Sequence, residues 1–102
     1  MTSRPARLTD AEIGDALRDL PEWRVQNGKL AREYHFRDFV EAWGFMSAAA
    51  LLVQQLDHHP EWFNVYGTVK VELVTHDAGG ISARDVELAR RFEALAARSS
   101  RV

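Results

Sequence analysis

The stretch Trp23-Arg24-Val25-Gln26-Asn27-Gly28-Lys29-Leu30-Ala31-Arg32-Glu33-Tyr34-His35-Phe36 decides the fold. Asn27-Gly28 is a pair that tolerates positive φ at both central positions of a two-residue turn, and strand-forming residues flank it on either side. A first β-hairpin is therefore predicted. In its second strand Leu30, Arg32, Tyr34 and Phe36 share one face while Ala31, Glu33 and His35 share the other, and Arg32 interrupts an otherwise apolar row.

Working outward, Thr9-Asp10-Ala11-Glu12 has the capping-box form that opens a helix. Ile13, Leu17 and Leu20 give that helix one apolar face, and Pro21 stops it. Downstream, residues 38–57 carry Phe39, Ala42, Trp43, Met46, Ala49, Ala50, Val53 and Leu56 at helical spacing, with a second row of Phe45, Ala48 and Leu52. The apolar surface of this helix exceeds what one core contact needs, which predicts a homo-oligomer. Pro60 disfavours helical angles at His59, so the helix is expected to end near His58. Residues 62–66 and 68–75, joined near Gly67, read as a second hairpin in which Val69, Val71 and Leu73 face one way and Lys70 and Glu72 the other. Ser82-Ala83-Arg84-Asp85 opens a last helix with Leu88, Phe92 and Leu95 along its buried seam. The order α-β-β-α-β-β-α implies an α+β fold: a four-stranded antiparallel sheet built from two hairpins, with three helices packed on one face.

A chain of 102 residues, 46% apolar and 27% charged, suits a single domain over residues 1–102, with residues 1–7 as a flexible tail. The absence of Cys excludes disulfides and thiolate metal sites. A formal charge of −2 and a pI near 6.1 provide no field for a nucleic-acid partner. No apolar segment follows the N-terminal positive charges, and the longest mostly apolar run, residues 43–53, falls short of the ~20 residues that span a bilayer. A cytoplasmic protein without a membrane partner is expected.

Of the four histidines, His58, His59 and His76 fall at element ends, where side chains can reach a cleft, whereas His35 lies in mid-strand. Imidazole is suited to proton transfer near neutral pH because its ordinary pKa of ~6.5 leaves both forms populated. The same positions are equally compatible with surface histidines at helix and strand ends. No metal site is expected, since there is no pair of His four apart on one helical face and no Cys. Neither a nucleophile elbow nor a phosphate-binding loop is present, and Gly79-Gly80 reads as a sharp turn.

The run Leu56-Asp57-His58-His59-Pro60-Glu61-Trp62-Phe63-Asn64-Val65-Tyr66, followed by Thr75-His76-Asp77 and Ser82-Ala83-Arg84-Asp85, resembles the pterin-4a-carbinolamine dehydratase family. The likeness extends upstream through residues 34–39 and 43–46 and to Trp23, and covers residues 9–97. It implies removal of water from 4a-hydroxytetrahydropterin to give quinonoid dihydropterin, recycling the tetrahydrobiopterin used by aromatic amino acid hydroxylases, with no metal or cofactor. It further implies a homodimer or homotetramer. On this resemblance His58, His59 and His76 are the catalytic candidates: His58 and His76 as proton donors to the hydroxyl, His59 as pterin ligand and base. They are expected around one common cavity. Asp85, Gln54 and Trp23 are the supporting candidates, with Asp85 equally readable as a helix cap and Trp23 as a wall for the flat ring. Gln54 stands where the family usually has an acidic residue. The alternative reading is a non-catalytic interaction module that uses the long helix, because animal members bind dimers of a homeodomain transcription factor through it.

Overall fold

The computed structural model describes residues 5–99. Its elements are α1 (Asp10–Leu17), β1 (Arg24–Gln26), β2 (Lys29–His35), α2 (Phe39–Leu56), β3 (Glu61–Val65), β4 (Thr68–Leu73), a 3-10 turn (His76–Ala78) and α3 (Ala83–Ser99). The α+β architecture and element order match the sequence reading.

Local chemistry explains most boundaries. Thr9 caps α1 reciprocally with Glu12: the Thr9 hydroxyl accepts from the Glu12 N–H at 3.1 Å, and Glu12 accepts from the Thr9 N–H at 2.8 Å. Asn27 and Gly28 both take positive φ, 55° and 76°, as the tight turn between β1 and β2 requires. In the second hairpin Tyr66 takes φ 50°, and a Cβ on Gly67 would meet the Phe36 carbonyl oxygen at 2.6 Å. Glycine there lets the turn lie against the end of β2.

Strand order is β1-β2-β4-β3, antiparallel throughout, so the two hairpins join through β2 and β4 at the centre and β1 and β3 form the edges. On the helix-bearing face Leu30, Tyr34, Val69, Val71 and Leu73 meet Ala42, Phe45, Ala49 and Val53 of α2 and Leu88, Ala89 and Phe92 of α3. Phe45 lies at the centre, its ring 4.9 Å from Tyr34, 5.1 Å from Phe36 and 5.8 Å from Phe92. α1 closes the β1 end of this face, bringing Ile13 and Leu17 beside Val25.

Several sequence readings need correction. The buried row of α2 is centred on Ala42, Phe45, Ala49 and Val53, whereas Phe39, Trp43 and Ala50, placed in the main stripe from spacing, turn outward. The two small alanines let α2 approach the sheet closely, which selects Phe45 over Trp43 as the core aromatic. α2 ends at Leu56, near His58 as expected, but at 18 residues it is long and apolar enough by length and composition to span a membrane, unlike the shorter run read from sequence. One side of it is nevertheless built into the core of this domain. Within the expected tail, residues 1–4 lie outside the described residues, but Arg7 forms a β-bridge with Ser82, and just beyond the tail the Leu8 N–H donates to Ile81 O at 2.8 Å.

Arg32 does not break the core face; it completes it. One carboxylate oxygen of Glu93 on α3 accepts from Arg32 Nε at 3.2 Å, from Trp23 Nε1 at 3.1 Å and from the Tyr34 hydroxyl. The Arg32 guanidinium also lies over the Tyr34 ring, 4.2 Å from its centroid. Burial foremost, and then the Glu93 hydrogen bond, push the Tyr34 hydroxyl well above the ordinary tyrosine range.

Candidate functional site

The end of α2 aims the first motif histidine. Asp57 adopts a left-handed conformation (φ 52°, ψ 44°), and the His58 N–H turns back to the Val53 carbonyl at 3.2 Å. This reversal directs the His58 ring at the N-terminus of α3. There His58 Nε2 lies 2.5 Å from Asp85 Oδ1, and the Asp85 carboxylate is fully buried.

Asp85 is the third residue of α3, and its second oxygen, Oδ2, accepts from the Ser82 N–H at 2.9 Å and from the Thr75 hydroxyl at 2.8 Å. One Asp85 oxygen thus caps α3 while the other holds the His58 ring. Thr75 and Ser82, which the sequence reading did not place among the site residues, are both buried and joined hydroxyl to hydroxyl at 2.6 Å. A weak signal for them was present, since Thr75 precedes His76 and Ser82 opens the capping box.

His58 lines a cavity of about 500 Å³ together with Leu56, Asp57, Ala83, Arg84 and Glu87. The cavity is large enough for a flat bicyclic ring. It carries both charge signs, with the cation of Arg84 and the carboxylates of Asp57 and Glu87 in its lining. No group of three or more His, Asp or Glu that could hold a metal ion occurs among the described residues.

The other two histidines do not share this cavity. His59 is exposed, with Nε2 3.3 Å from Gln54 Oε1, so Gln54 contacts the second motif histidine rather than the first. His76 begins the 3-10 turn that the Thr75–Gly80 bridge closes; its exposed side chain lies with Nε2 3.9 Å from Glu61 Oε2. The other Glu61 oxygen accepts from Lys29 Nζ at 2.7 Å, and this hydrogen bond holds the Lys29 ammonium above its ordinary value. The expectation of one cavity shared by all three rings is thus corrected for the single chain. His59 and His76 are each one residue along the chain from a member of the His58–Asp85–Thr75 network, with rings turned to solvent.

Trp23 is also corrected. It is 3% exposed, donates Nε1–H to Glu93 and packs edge-on to Tyr34, so it serves the core and presents no face to a ligand. Trp62, by contrast, stacks on Phe92 with the ring planes 17° apart.

Residues 6–95 match the family described as pterin 4 alpha carbinolamine dehydratase. The chain belongs to that family. A relative from Solibacter usitatus named for this dehydratase is 55% identical over 91 residues, covering 89% of this chain and 96% of the relative. One from Rhodopseudomonas palustris with the same name is 54% identical over 96 residues, covering 92% and 95%. Among solved structures, a Brucella melitensis protein described as a transcriptional coactivator/pterin dehydratase is similar with a TM-score of 0.85 at 46% identity, covering 88% of this chain and 98% of that one. A pterin dehydratase-like protein described as a RuBisCO assembly factor in the alpha-carboxysome shares the fold with a TM-score of 0.61 at 23% identity, covering 72% and 86%.

Proposed function

We propose that this chain is a 4a-hydroxytetrahydropterin dehydratase acting by histidine acid–base catalysis. The single observation that carries the reading is the His58–Asp85 pair at 2.5 Å on the wall of a cavity sized for a bicyclic ring. A buried carboxylate that holds one ring nitrogen fixes the tautomer and orientation of the imidazole, leaving the other nitrogen to exchange protons with a ligand. Nδ1 of His58 has no hydrogen-bond partner among the described residues.

In the proposed step an imidazolium, His58 or His76, delivers a proton to the 4a-hydroxyl oxygen as the C4a–O bond breaks. The lone pair of the adjacent ring nitrogen forms the C=N bond, His59 removes the proton from that nitrogen, and water departs. No electrons are exchanged with any other species, so the reaction balances without a redox cofactor, and we assign it neither metal nor cofactor. His59 and His76, whose exposed rings lie outside the lining of the His58 cavity, reach the ligand in this reading from the solvent side. Recycling of tetrahydrobiopterin beside an aromatic amino acid hydroxylase in the cytoplasm is the setting we assign. The test is to generate the carbinolamine with an aromatic amino acid hydroxylase and follow its decay with and without the protein. Decay no faster than the uncatalysed rate removes this reading.

A second reading, an interaction module, has its own observation. Phe39 and Trp43 stack on each other at 6.0 Å on the outer side of α2, and Val40 and Leu51 of the same helix are 76% and 77% exposed. This surface suits self-association into a dimer or tetramer and leaves the His58 cavity unused, so the two readings are compatible.

A further inference from the structure

We infer that Thr75 and Ser82 are positioning residues of the His58 site, forming a directional hydrogen-bond relay that fixes which oxygen of Asp85 is offered to the histidine. The inference rests on the reading of His58 as an acid–base group. Its basis is the direction of each hydrogen bond. The Thr75 hydroxyl has one proton and gives it to Asp85 Oδ2 at 2.8 Å. Across the 2.6 Å contact between the two hydroxyls, Ser82 must then be the donor and Thr75 the acceptor. Ser82 Oγ in turn accepts from the Arg84 N–H at 3.2 Å, a free amide of the first turn of α3. The chain thus runs from the Arg84 amide through Ser82 and Thr75 to Oδ2, while Oδ1 is left for His58 Nε2. Successive hydrogen bonds pointing the same way polarise one another, most of all where water is excluded, and Thr75, Ser82 and Asp85 are all buried.

The relay also couples separate pieces of chain. Thr75 is held by its bridge to Gly80, with backbone bonds of 3.0 and 3.3 Å, and Ser82 by its bridge to Arg7. The carboxylate therefore cannot rotate to share both oxygens with the ring unless the relay breaks. Around the ring, the charged groups are Asp85 from α3, Asp57 beside it in the chain, and Arg84 and Glu87 on the cavity wall. Among these, Asp85 is the one hydrogen-bonded to the ring.

Thr75→Val tests the inference, because valine keeps the branched shape in the extended backbone of this position (φ −107°, ψ 101°) and removes only the hydroxyl. Two-bond 1H–15N spectra of the imidazoles should show His58 as a single Nε2–H tautomer in the unsubstituted protein and in Thr75→Ser. Both tautomers should appear in Thr75→Val. Ser82→Ala retains the backbone donor to Asp85 but ends the relay; it should shift the tautomer ratio the same way and decides the matter should Thr75→Val not fold. The dehydration kcat is expected to fall about tenfold in Thr75→Val with KM within about twofold, and to be restored by Thr75→Ser. A single, unchanged His58 tautomer in the folded Thr75→Val or Ser82→Ala protein overturns the inference at any rate of turnover. Absence of turnover in the unsubstituted protein would remove the dehydratase reading and leave the tautomer result standing, so the two failures are distinguishable.

Discussion

His58 Nε2 lies 2.5 Å from Oδ1 of Asp85, a residue 27 positions further along the chain whose other oxygen caps α3. The start of α3 and the orientation of the histidine are therefore set by the same side chain. A change at Asp85 acts on stability and on the site together, and the two effects can be measured separately.

Asp85→Ala strands three donors at once: the buried Ser82 N–H and Thr75 hydroxyl and the part-buried His58 ring. Loss of about 2–4 kcal/mol is expected in urea unfolding, with a smaller loss for Asp85→Asn, which preserves the shape and part of the hydrogen bonding. Dehydration should fall at least about tenfold in both, measured well below the unfolding midpoint.

The histidines should separate activity from stability in a different way. The His76 ring is exposed and the His58 ring is mostly covered. His76→Ala should leave stability within about 0.5 kcal/mol of the unsubstituted protein, whereas His58→Ala should lower it by about 1–3 kcal/mol without unfolding the domain. Each should slow carbinolamine decay at least about tenfold. Undiminished decay in His58→Ala would falsify its assignment as an acid.

Gln54 offers an amide oxygen to His59 at 3.3 Å where the family usually has an acid. Gln54→Glu places a carboxylate there, which favours the protonated ring, so the midpoint of His59 in an NMR titration should move to higher pH. The pH–rate profile should move in the same direction. A His59 titration that superimposes on that of the unsubstituted protein would show that position 54 does not act on this ring.

Alkaline pH should expose the Glu93 hub. Tyr34 is raised above the ordinary tyrosine value of 10.0, first by burial and then by its hydrogen bond to Glu93. The folded protein therefore keeps a proton that the unfolded chain gives up above pH 10, and the proton balance makes stability fall as pH rises beyond that point. Below pH 10 the contribution is fully present. In a Tyr66→Phe background, tyrosinate absorbance should rise only as the chain unfolds, and Tyr34→Phe should abolish this part of the pH dependence of urea unfolding. Tyrosinate absorbance rising while the fold is intact would contradict it.

The outer side of α2 gives a prediction about assembly. With Phe39, Trp43, Val40 and Leu51 exposed on one helix, light scattering should report a multiple of the 11.6 kDa chain. Trp43→Glu should shift the population toward the monomer. A monodisperse monomer of the unsubstituted protein would assign the exposed apolar surface some other use.

The features that could be read without a structure lie within a few residues of their cause. The Asn27-Gly28 turn, the Thr9–Glu12 cap, the alternation of Val69, Val71 and Leu73 and the end of α2 ahead of Pro60 follow from backbone preferences and hydrogen bonds that close over a turn or two, so element order and fold class were legible. The three histidines stood out by their place at element ends, whereas their roles and the supporting residues were legible only by resemblance. The tertiary structure alone decided that β4 pairs with β2, that Phe45 rather than Trp43 turns inward, that Trp23 and Arg32 converge on Glu93, and that Asp85 grips His58 while His59 and His76 stand in solvent. The pairs Trp23–Glu93 and His58–Asp85, 70 and 27 positions apart, are brought together by how the helices settle on the sheet. Such packing optimises the whole core at once and leaves no periodic signal in any one segment.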